Sequence, residues 1–371
     1  MAKLALQDHK VTRKLWEEVF TEDTKKFLDY YYSCVADHNQ IFVEKEKDEL
    51  VSMLQLNPYK VHIDGRDADS YYIVAVATRE AYRHQGRMRR LLAEAMHQMY
   101  RERIPFTWLM PASEAIYQPF DFVTVYRQSM ISIGTDISEN HAETWACRSC
   151  KKEQIPELVL WSEQFLKETS DISTVRSEEY YRRIWKEQES MNGQILLFYE
   201  KEQLKGYCFT GCEDSTETWE IAVRDEYQEK GNRKAVDALL RWFAKSDQLP
   251  IRICGFLTGS GIEGISVKEV SFRPMTMMRI VNLEAFAEYL QTNEEVIFEL
   301  NIKDPILQAN NGTFRFILGP ENSRCVPIES TDAPEMTISE LTEAVCGKKR
   351  TDKIPQTKLH LIERIYLNEV V

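Results

Sequence analysis

The chain has 371 residues, a net charge of −12 and a sequence pI near 5.3, with 43% hydrophobic and 29% charged residues. This size exceeds what one hydrophobic core usually supports, so we expect two or three domains of ordinary globular composition. The acidic balance argues against a nucleic-acid surface, which needs a dominant basic patch, and it favours cationic partners.

The N-terminal residues and the cysteines bear on the cellular compartment of the protein. The N-terminal segment has no long apolar stretch, and no apolar run reaches membrane-spanning length, so we expect a cytoplasmic protein that does not bind membranes. The eight cysteines are scattered, which favours reduced thiols. Cys147 and Cys150 have C-x-x-C spacing but lack a second ligand pair, and we predict no metal site.

Residues 1–150 predict a helix, a meander of strands, and then a strand, a loop and a second helix. The predicted helices are Trp16–Tyr32 and a segment from Gly86 to about Arg101–Ile104, and the predicted strands are Gln40–Glu44, Leu50–Leu56, Lys60–Ile63, a run starting at Val74, and Phe106–Leu109. The apolar residues of the second helix recur at i, i+3, i+4 and i+7. One of its faces is therefore expected to pack on the sheet.

A comparable order returns over residues 151–280, and a different one follows over residues 281–371. The repeat has predicted helices at Ile155–Leu166 and Lys234–Phe243 and predicted strands at Gln194–Glu200, Gly206–Gly211, Thr216–Val223 and Ile251–Leu257. The last segment has predicted helices at Phe286–Leu290 and Ser339–Ala344 and predicted strands at Glu295–Ile302 and Thr313–Leu318. We predict an α+β (mixed α/β) fold with two similar domains and a third, smaller α+β domain.

The stretch from Val74 to Met96 joins a β-branched strand to a helix through a basic loop that contains one glycine, Gly86. The first amides of a helix lack partners within it and lie at the positive end of its dipole, so they form an anion site. Cationic side chains surround this one: Arg83, His84, Arg87, Arg89 and Arg90. A pyrophosphate fits these features, but on spacing alone a turn with solvated arginines fits them equally well.

This loop resembles the acetyl-coenzyme A loop of GCN5-related N-acetyltransferases, whose pattern is Arg/Gln-x-x-Gly-x-Gly/Ala after a strand. The matching residues are Val76, Ala77 and Thr78, followed by Arg83, His84, Gln85, Gly86, Arg87 and Met88. Met88 departs from the small residue of the pattern. The resemblance implies that loop amides hold the pyrophosphate of acetyl-CoA and that a strand amide near Val76 polarises the thioester carbonyl.

Further matches span nearly the whole chain. Residues Ala112–Phe122 resemble the A-S-E-x-x-I-Y-x-x-F-G-F/Y segment of the Eis-like ("enhanced intracellular survival") acetyltransferases, with Asp121 in place of the glycine. Met277–Val281 resembles the entry to that family's C-terminal domain, and Tyr366–Val371 resembles its ending. The resemblance implies two tandem acetyltransferase-type domains, a sterol-carrier-like C-terminal domain, acetyl-CoA as donor and a homohexamer.

Acyl transfer from a thioester to an amine needs a neutral amine, a polarised carbonyl and a proton for the departing thiolate. A phenol suits the last role, which the resemblance assigns to Tyr117; the alternative is a tyrosine packed in the core. The resemblance also implies that the α-carboxylate of Val371 is a base with Glu369 close by, where a frayed tail is the alternative. It adds Ser113 to the expected cofactor contacts.

Two further acidic features bear on the acceptor and on the repeat. Glu22 and Asp23 are candidates, with Glu369, for binding a cationic acceptor, although a solvated turn also explains them. In the repeat, the position of the cofactor loop carries Asp225 and Glu226 close to where a phosphate would lie. These carboxylates oppose an anion, so we predict that the second domain is catalytically silent.

Two classes of function therefore stay open. The favoured one is an N-acetyltransferase that acts on cationic amines, such as aminoglycosides, polyamines or lysine side chains. The rival is a lipid or hydrophobe carrier that uses the sterol-carrier-like segment, and a catalytically inactive scaffold is a weaker third option. The sequence does not name the physiological amine.

Overall fold

The computed structural model describes residues 2–133, 145–212, 216–224, 228–245, 251–255, 267–329 and 332–369. They form a mixed α/β fold, in agreement with the prediction. We call residues 2–133 the first unit, 145–255 the second unit and 281–369 the third unit. Among the described residues, no helix combines the length and the apolar character that a membrane span requires.

The first unit follows the predicted order, with one helix divided in two. Its elements are β1 Ala2–Lys3, α1 Arg13–Val19, α2 Lys25–Cys34, β2 Gln40–Glu46, β3 Glu49–Ile63, β4 Arg66–Thr78, α3 Arg87–Arg101, β5 Phe106–Leu109, α4 Glu114–Tyr117 and β6 Val123–Ile133. The predicted helix Trp16–Tyr32 is interrupted because Thr24 caps the start of α2. The Thr24 side chain accepts a hydrogen bond from the backbone N–H of Phe27.

Strand β3 also differs from the prediction, since it runs through Pro58 as one element. Proline cannot donate to a neighbouring strand, so it needs an edge without a partner. Strand β2 pairs with β3 only as far as Leu56, and β8 pairs with it only from Val61 onward. Pro58 lies between these two ladders and faces Tyr71 of β4 on the other side.

The second and third units again alternate strands and helices. The second unit contains β7 Ala146–Ser149, α5 Ile155–Thr169, β8 Ile172–Thr174, α6 Glu178–Ser190, β9 Gln194–Glu200, β10 Gln203–Cys212, β11 Thr216–Val223, α7 Gln228–Ala244 and β12 Ile251–Gly255. Strand β13, Val267–Ile280, leads to the third unit, which contains α8 Leu283–Ala287, β14 Gln291–Thr292, β15 Val296–Lys303, β16 Gly312–Leu318, β17 Arg324–Ile328, β18 Glu335–Thr337, α9 Ile338–Val345, β19 Leu359–His360 and β20 Ile365–Tyr366.

One continuous sheet joins the first and second units. Its strand order is β1-β2-β3-β4-β5-β13-β6-β12-β11-β10-β9-β7. Strand β13 inserts between β5 and β6, and β6 also pairs with β12 of the second unit. Hydrogen bonding therefore crosses the predicted domain limit at residue 150, and the predicted limits at 150 and 280 stay predictions.

The third unit has its own antiparallel sheet with the order β17-β16-β15, to which β18 adds in parallel. A buried ion pair ties it to the sheet of the other two units: Arg279 of β13 contacts Asp304 at 2.5 Å, and both side chains are fully buried. Its last strand, β20, pairs with β8, which itself pairs with β3. The tail of the chain thus returns to the junction of the first and second units.

Candidate active site

The loop between β4 and α3 has the backbone geometry of an anion site. Gly86 precedes the first residue of α3 and has φ of +71°, a left-handed conformation that favours glycine. A Cβ atom built on Gly86 would contact only Arg90 Nη1, at 3.4 Å. A ligand can therefore approach the backbone closely at Gly86. The first N–H groups of α3 have no partner within the helix and can bind an anion.

The arginines around this loop are partly neutralised. Arg90 pairs with Glu44 at 2.7 Å, and Arg87 pairs with Glu44 at 3.0 Å and with Glu46 at 2.9 Å. The hydrogen bond from Arg90 lowers the pKa of Glu44. Arg83 donates to the backbone oxygen of Thr78 at 3.1 Å. These bonds hold the loop in shape, so the backbone amides carry more of the expected anion binding than the guanidinium groups do.

Strands β4 and β5 separate beside the loop. Their parallel pairing covers Tyr71↔Thr107 and Tyr72↔Trp108, while β4 continues as far as Thr78. Against β3 the register of β4 shifts, and Ala75 at the shift has φ of +52°, which marks a β-bulge. In the described residues the last part of β4 has no partner on the β5 side, so its amides near Val76, Ala77 and Thr78 border an open gap.

Tyr117 lies at the end of α4 in the apolar cluster that also contains Met88 of α3. Its ring contacts Phe122 edge-on at 6.0 Å, and 7% of the residue is exposed. Burial raises the pKa of Tyr117 to about 12, so the phenol is protonated at neutral pH. No hydrogen-bond partner of its hydroxyl occurs among the described residues, and Ser113, just before α4, is exposed. Tyr117 is therefore a neutral proton donor near the loop.

A second group of predicted site residues belongs to the tail of the chain. Glu369 is 4% exposed and lies between the two units. Its carboxylate accepts hydrogen bonds from Thr174 Oγ1 at 2.7 Å, from Tyr180 Oη at 3.2 Å and from Tyr59 Oη at 3.3 Å. Val371, predicted as the base, lies with its neighbour outside the described residues. Glu369 is thus anchored by groups from both units directly before the predicted catalytic terminus.

A buried charge cluster surrounds Glu369. Arg183 and Arg176 approach its carboxylate at 3.7 and 3.9 Å, and Arg176 also pairs with Glu220 at 3.1 Å. Glu187 lies one turn along α6 from Arg183 and accepts from Tyr30 Oη at 3.0 Å. Burial raises the pKa of Glu187 to about 7, and Arg183 partly opposes this effect. Apart from Glu369, the sequence analysis named none of these residues, because they come from distant elements.

Tyr72 connects β4 to the residues around Glu369. It is the last residue of β4 that pairs with β5, and it is 3% exposed. Its ring packs edge-on against that of Tyr59, with centroids 6.3 Å apart, and Tyr59 Oη donates to Glu369. Burial raises the pKa of Tyr72, and the charge of Glu369 raises it further.

A cavity of about 350 Å³ opens beside Glu369. Tyr59, Tyr180 and Arg183 line it and also contact the Glu369 carboxylate. The other predicted acids lie on the turn between α1 and α2: Asp23 accepts from Trp16 Nε1 at 2.6 Å, and Glu22 is exposed. No contact among the described residues joins either of them to Glu369.

A link to the third unit was also missed by the sequence analysis. Asp121, which replaces the family glycine, has φ of +60° and accepts a hydrogen bond from Ser339 Oγ of α9 at 2.9 Å. Arg279 donates to the backbone oxygen of Phe120 at 2.7 Å. The turn that follows Tyr117 is therefore held by two bonds from elsewhere in the chain.

Comparison with known families agrees with this geometry. Residues 2–125 match the acetyltransferase (GNAT) domain, and residues 283–365 match the sterol carrier protein domain. The chain contains an acetyltransferase domain of the GNAT family. The protein is accordingly an acetyltransferase that uses acetyl-CoA. No curated protein matches the chain at a significant level of sequence similarity.

Solved structures share the fold of the acetyltransferase over almost its whole length. A probable N-acyltransferase from Enterococcus faecalis is 16% identical, with a TM-score of 0.75, and the match covers 99% of this chain and 96% of that one. A GCN5-related N-acetyltransferase from Anabaena variabilis is 15% identical, with a TM-score of 0.76 and coverage of 99% and 98%. Eis1 from Mycobacterium abscessus is 12% identical, with a TM-score of 0.61 and coverage of 92% and 87%. At these identities the similarity concerns the fold.

The groups of the acetyltransferase domain suit acetyl-CoA. The free amides at the start of α3 suit a pyrophosphate, and the open edge of β4 suits a chain that lies along it. Within the described ranges, no group of three or more His, Cys, Asp or Glu side chains is arranged to hold a metal ion.

Proposed function

We propose that the protein transfers the acetyl group of acetyl-CoA directly to a primary amine of a cationic acceptor. The supporting observation is the gap between β4 and β5. The anion-binding loop follows the end of β4 at this gap, and Tyr117 packs in the same apolar cluster as Met88 of the helix after the loop. Tyr72, the last β4 residue that pairs with β5, contacts the ring of Tyr59, whose hydroxyl donates to Glu369. A donor and an acceptor that enter from opposite sides would meet at this gap.

In the proposed reaction, the α-carboxylate of Val371 takes a proton from the acceptor ammonium. The neutral nitrogen attacks the thioester carbonyl carbon, the C–N bond forms and the C–S bond breaks. The new amide nitrogen then releases its remaining extra proton to water, from which Tyr117 is later reprotonated. The amide near Val76 donates a hydrogen bond to the carbonyl oxygen, where negative charge develops. Tyr117 gives its proton to the leaving thiolate, a role that its protonated state at neutral pH supports.

The anchoring of Glu369 supports the role that we propose for Val371. A terminal residue is usually frayed, but Glu369 is buried and bonded to Thr174, Tyr59 and Tyr180. The ordered tail would hold the α-carboxylate two residues later near the gap. Burial and the Glu369 charge would raise its pKa toward the working range of a base.

The net charge of −12 favours a cationic acceptor, for which aminoglycosides, polyamines and lysine side chains are the candidate classes. Glu22 and Asp23 would attract such an acceptor from outside the cavity. The family resemblance further implies a homohexamer, which light scattering at several protein concentrations would test.

The carrier function is not favoured. A carrier needs an emptied apolar cavity, whereas the third unit has a packed interior in which Phe298 and Phe316 stack at 4.9 Å and Leu300 and Leu318 are fully buried.

Release of free thiol from acetyl-CoA, followed with and without a panel of primary amines, tests the proposed function. We expect release that depends on the amine and yields the N-acetylated product by mass spectrometry. Thiol release that is equal without an amine, or none with any amine despite acetyl-CoA binding, would contradict it. Binding of a fluorescent fatty acid in the latter case would instead favour the carrier.

A further inference from the structure

The cavity beside Glu369 differs from a site built for a polycation. Its inner wall is formed by the buried and half-buried lining residues Val35, Asn57, Tyr59, Tyr180 and Arg183. Among the described residues, the one carboxylate in the lining is that of Glu179, which is exposed. Val35 is 2% exposed and Asn57 is 5% exposed. This wall therefore offers apolar surface, neutral polar groups and one positive charge.

The carboxylate of Glu369 lies behind the wall and is already compensated. Tyr59 and Tyr180 donate to its carboxylate, and Arg183 approaches it at 3.7 Å. Arg183 also donates to Tyr59 Oη at 2.6 Å and lies over the rings of both tyrosines, at 5.0 and 5.5 Å from their centroids. The aromatic faces that could bind a second ammonium are thus already covered by a cation.

The rim of the cavity does not supply the missing negative charge. Glu179 is an exposed lining residue, and Lys60 is exposed on the same rim. Lys60 pairs with Asp69 at 3.0 Å, so the charges at the rim are mixed and solvated. Screening by water weakens the attraction that such groups exert on a bound ligand.

We infer that the acceptor is an amine with a single ammonium group on an apolar arm and that this cavity discriminates against diamines and polyamines. The inference rests on the proposed function and selects among its acceptor classes. The reacting ammonium lies toward the tail, and the arm packs on Val35, Pro58 and Val175. A second ammonium would lose part of its hydration in the cavity, where the described residues of the inner wall offer it no carboxylate, and it would face Arg183.

A matched pair of substrates tests the inference on the unmodified full-length protein. Hexylamine and hexane-1,6-diamine share the same arm and differ in the second ammonium. With saturating acetyl-CoA at one pH, we expect kcat/KM for hexylamine to exceed that for the diamine by about tenfold or more. An equal or higher value for the diamine, or faster turnover of spermidine, would overturn the inference while leaving the proposed function intact.

A second experiment distinguishes two acceptors that carry a single ammonium group, a free monoamine and a lysine side chain. A short peptide with a blocked N-terminus, one lysine and no other amine has the same single ammonium on an apolar stem. Turnover of this peptide at least as fast as that of hexylamine identifies lysine as the source. Slower turnover identifies a free amine, and both results support a single ammonium. If no amine is acetylated although acetyl-CoA binds, the proposed function itself fails.

A variant pair tests whether the wall sets the preference. Val175 is half-buried in the wall, and Val175→Glu adds the carboxylate that a second ammonium needs. We expect the preference for hexylamine over the diamine to fall at least threefold. Val270→Glu makes the same change at an exposed valine outside the cavity and should leave the preference unchanged. An unchanged preference in a folded Val175→Glu protein would overturn the inference; if that variant does not fold, the comparison of the two amines in the wild type decides.

Discussion

The first and second units carry a bulge at the same place, in the strand that precedes the helix of each β-loop-α segment. In β4 the register against β3 shifts at Ala75, and in β11 the register against β10 shifts at Trp219. A bulge turns backbone groups away from the ladder, so both units present polar backbone at this point. They differ in what lies beside it.

In the first unit the bulge borders the open gap between β4 and β5. In the second unit the corresponding space is filled by the tail of the chain. Asn368 Nδ2 donates to the bulged carbonyl of Trp219 at 2.9 Å, and Gln128 Nε2 donates to it at 3.1 Å. Strand β12 also stays close to β11, since Cys254 N donates to Thr218 Oγ1 at 2.8 Å.

This difference explains how a repeated scaffold can serve two purposes. One copy keeps its groove open for a ligand, whereas the other uses the same groove to hold residues that belong to the first copy's site. Asn368 in the second groove is adjacent to Glu369 in the buried cluster. The arrangement supports the prediction that the second unit is silent, for a reason independent of Asp225 and Glu226, which lie outside the described residues.

The largest expected effect concerns the proton donor on the open side. Tyr117→Phe keeps the ring's packing against Phe122 and removes the hydroxyl, so we expect kcat to fall by roughly 10²–10⁴-fold with little change in acetyl-CoA affinity. Steady-state kinetics and calorimetry measure the two quantities. Wild-type kcat in this variant would reduce Tyr117 to a packing residue.

Two controls accompany this measurement. Tyr199→Phe removes a hydroxyl in the second unit that donates to Glu157, and it should leave kcat unchanged. The pH profile gives an independent check. Because burial raises the pKa of Tyr117 to about 12, its acid form persists through pH 10, and we expect no loss of kcat from this group below that pH.

The next effect concerns the end of the chain, which follows Asn368 of the filled groove. Extending the chain beyond Val371 with a short tag removes the α-carboxylate from its place, and we expect kcat to fall roughly 10²-fold. Deletion of Val371 moves the carboxylate by one residue and should cause a similar loss. Acetyl-CoA binding should persist in both proteins, as calorimetry would show. Full activity of the tagged protein would contradict the role of the terminus as a base.

A smaller effect is expected for the loop. Gly86→Val places a β-branched residue at φ of +71° and should weaken acetyl-CoA binding by at least about tenfold. Gly65→Val is the matched control, because Gly65 has φ of +79°, lies in a hairpin turn and has nothing near its Cβ position. Both variants should lose similar stability, but only the first should lose affinity. Unchanged affinity in folded Gly86→Val would remove the loop from the site.

The comparison of the two grooves also predicts a stoichiometry. Since the second groove is filled by Asn368 and its neighbours, titration calorimetry should give one acetyl-CoA per chain. Saturation at two equivalents would show that the tail can be displaced and would contradict the assignment of the second unit as silent.

Local patterns in the sequence predicted most of the elements but few of the contacts that build the site. The periodicity of α3 and the glycine before it located the loop, because both signals act within one turn. The break at Thr24 was not predicted, because it depends on a helix cap. The continuous strand through Pro58 was not predicted either, because it depends on a strand edge that has no partner at that residue. The insertion of β13 between β5 and β6 and the position of Asn368 in the groove of the second unit depend on contacts between distant residues. No local sequence pattern contains such contacts.

The smallest expected effect concerns the link between the turn after Tyr117 and the third unit. Asp121 adopts the left-handed conformation, in which glycine costs less than any other residue. Asp121→Gly therefore relieves the backbone and removes the hydrogen bond from Ser339, so the change in stability should stay within about 1 kcal/mol. If the bond positions Tyr117, kcat should still fall by roughly threefold, with KM for acetyl-CoA unchanged.

Asp121→Asn separates this positioning role from the charge. It keeps an oxygen that accepts from Ser339 and tolerates the same backbone conformation, so it should retain the kcat that Asp121→Gly loses. Ser339→Ala removes the bond from the other side and should match Asp121→Gly. If both Asp121→Gly and Ser339→Ala have wild-type kcat, the third unit supports the fold without orienting Tyr117. Each of these variants removes the hydrogen bond between Asp121 and Ser339, so a bond that positions Tyr117 would lower kcat in both.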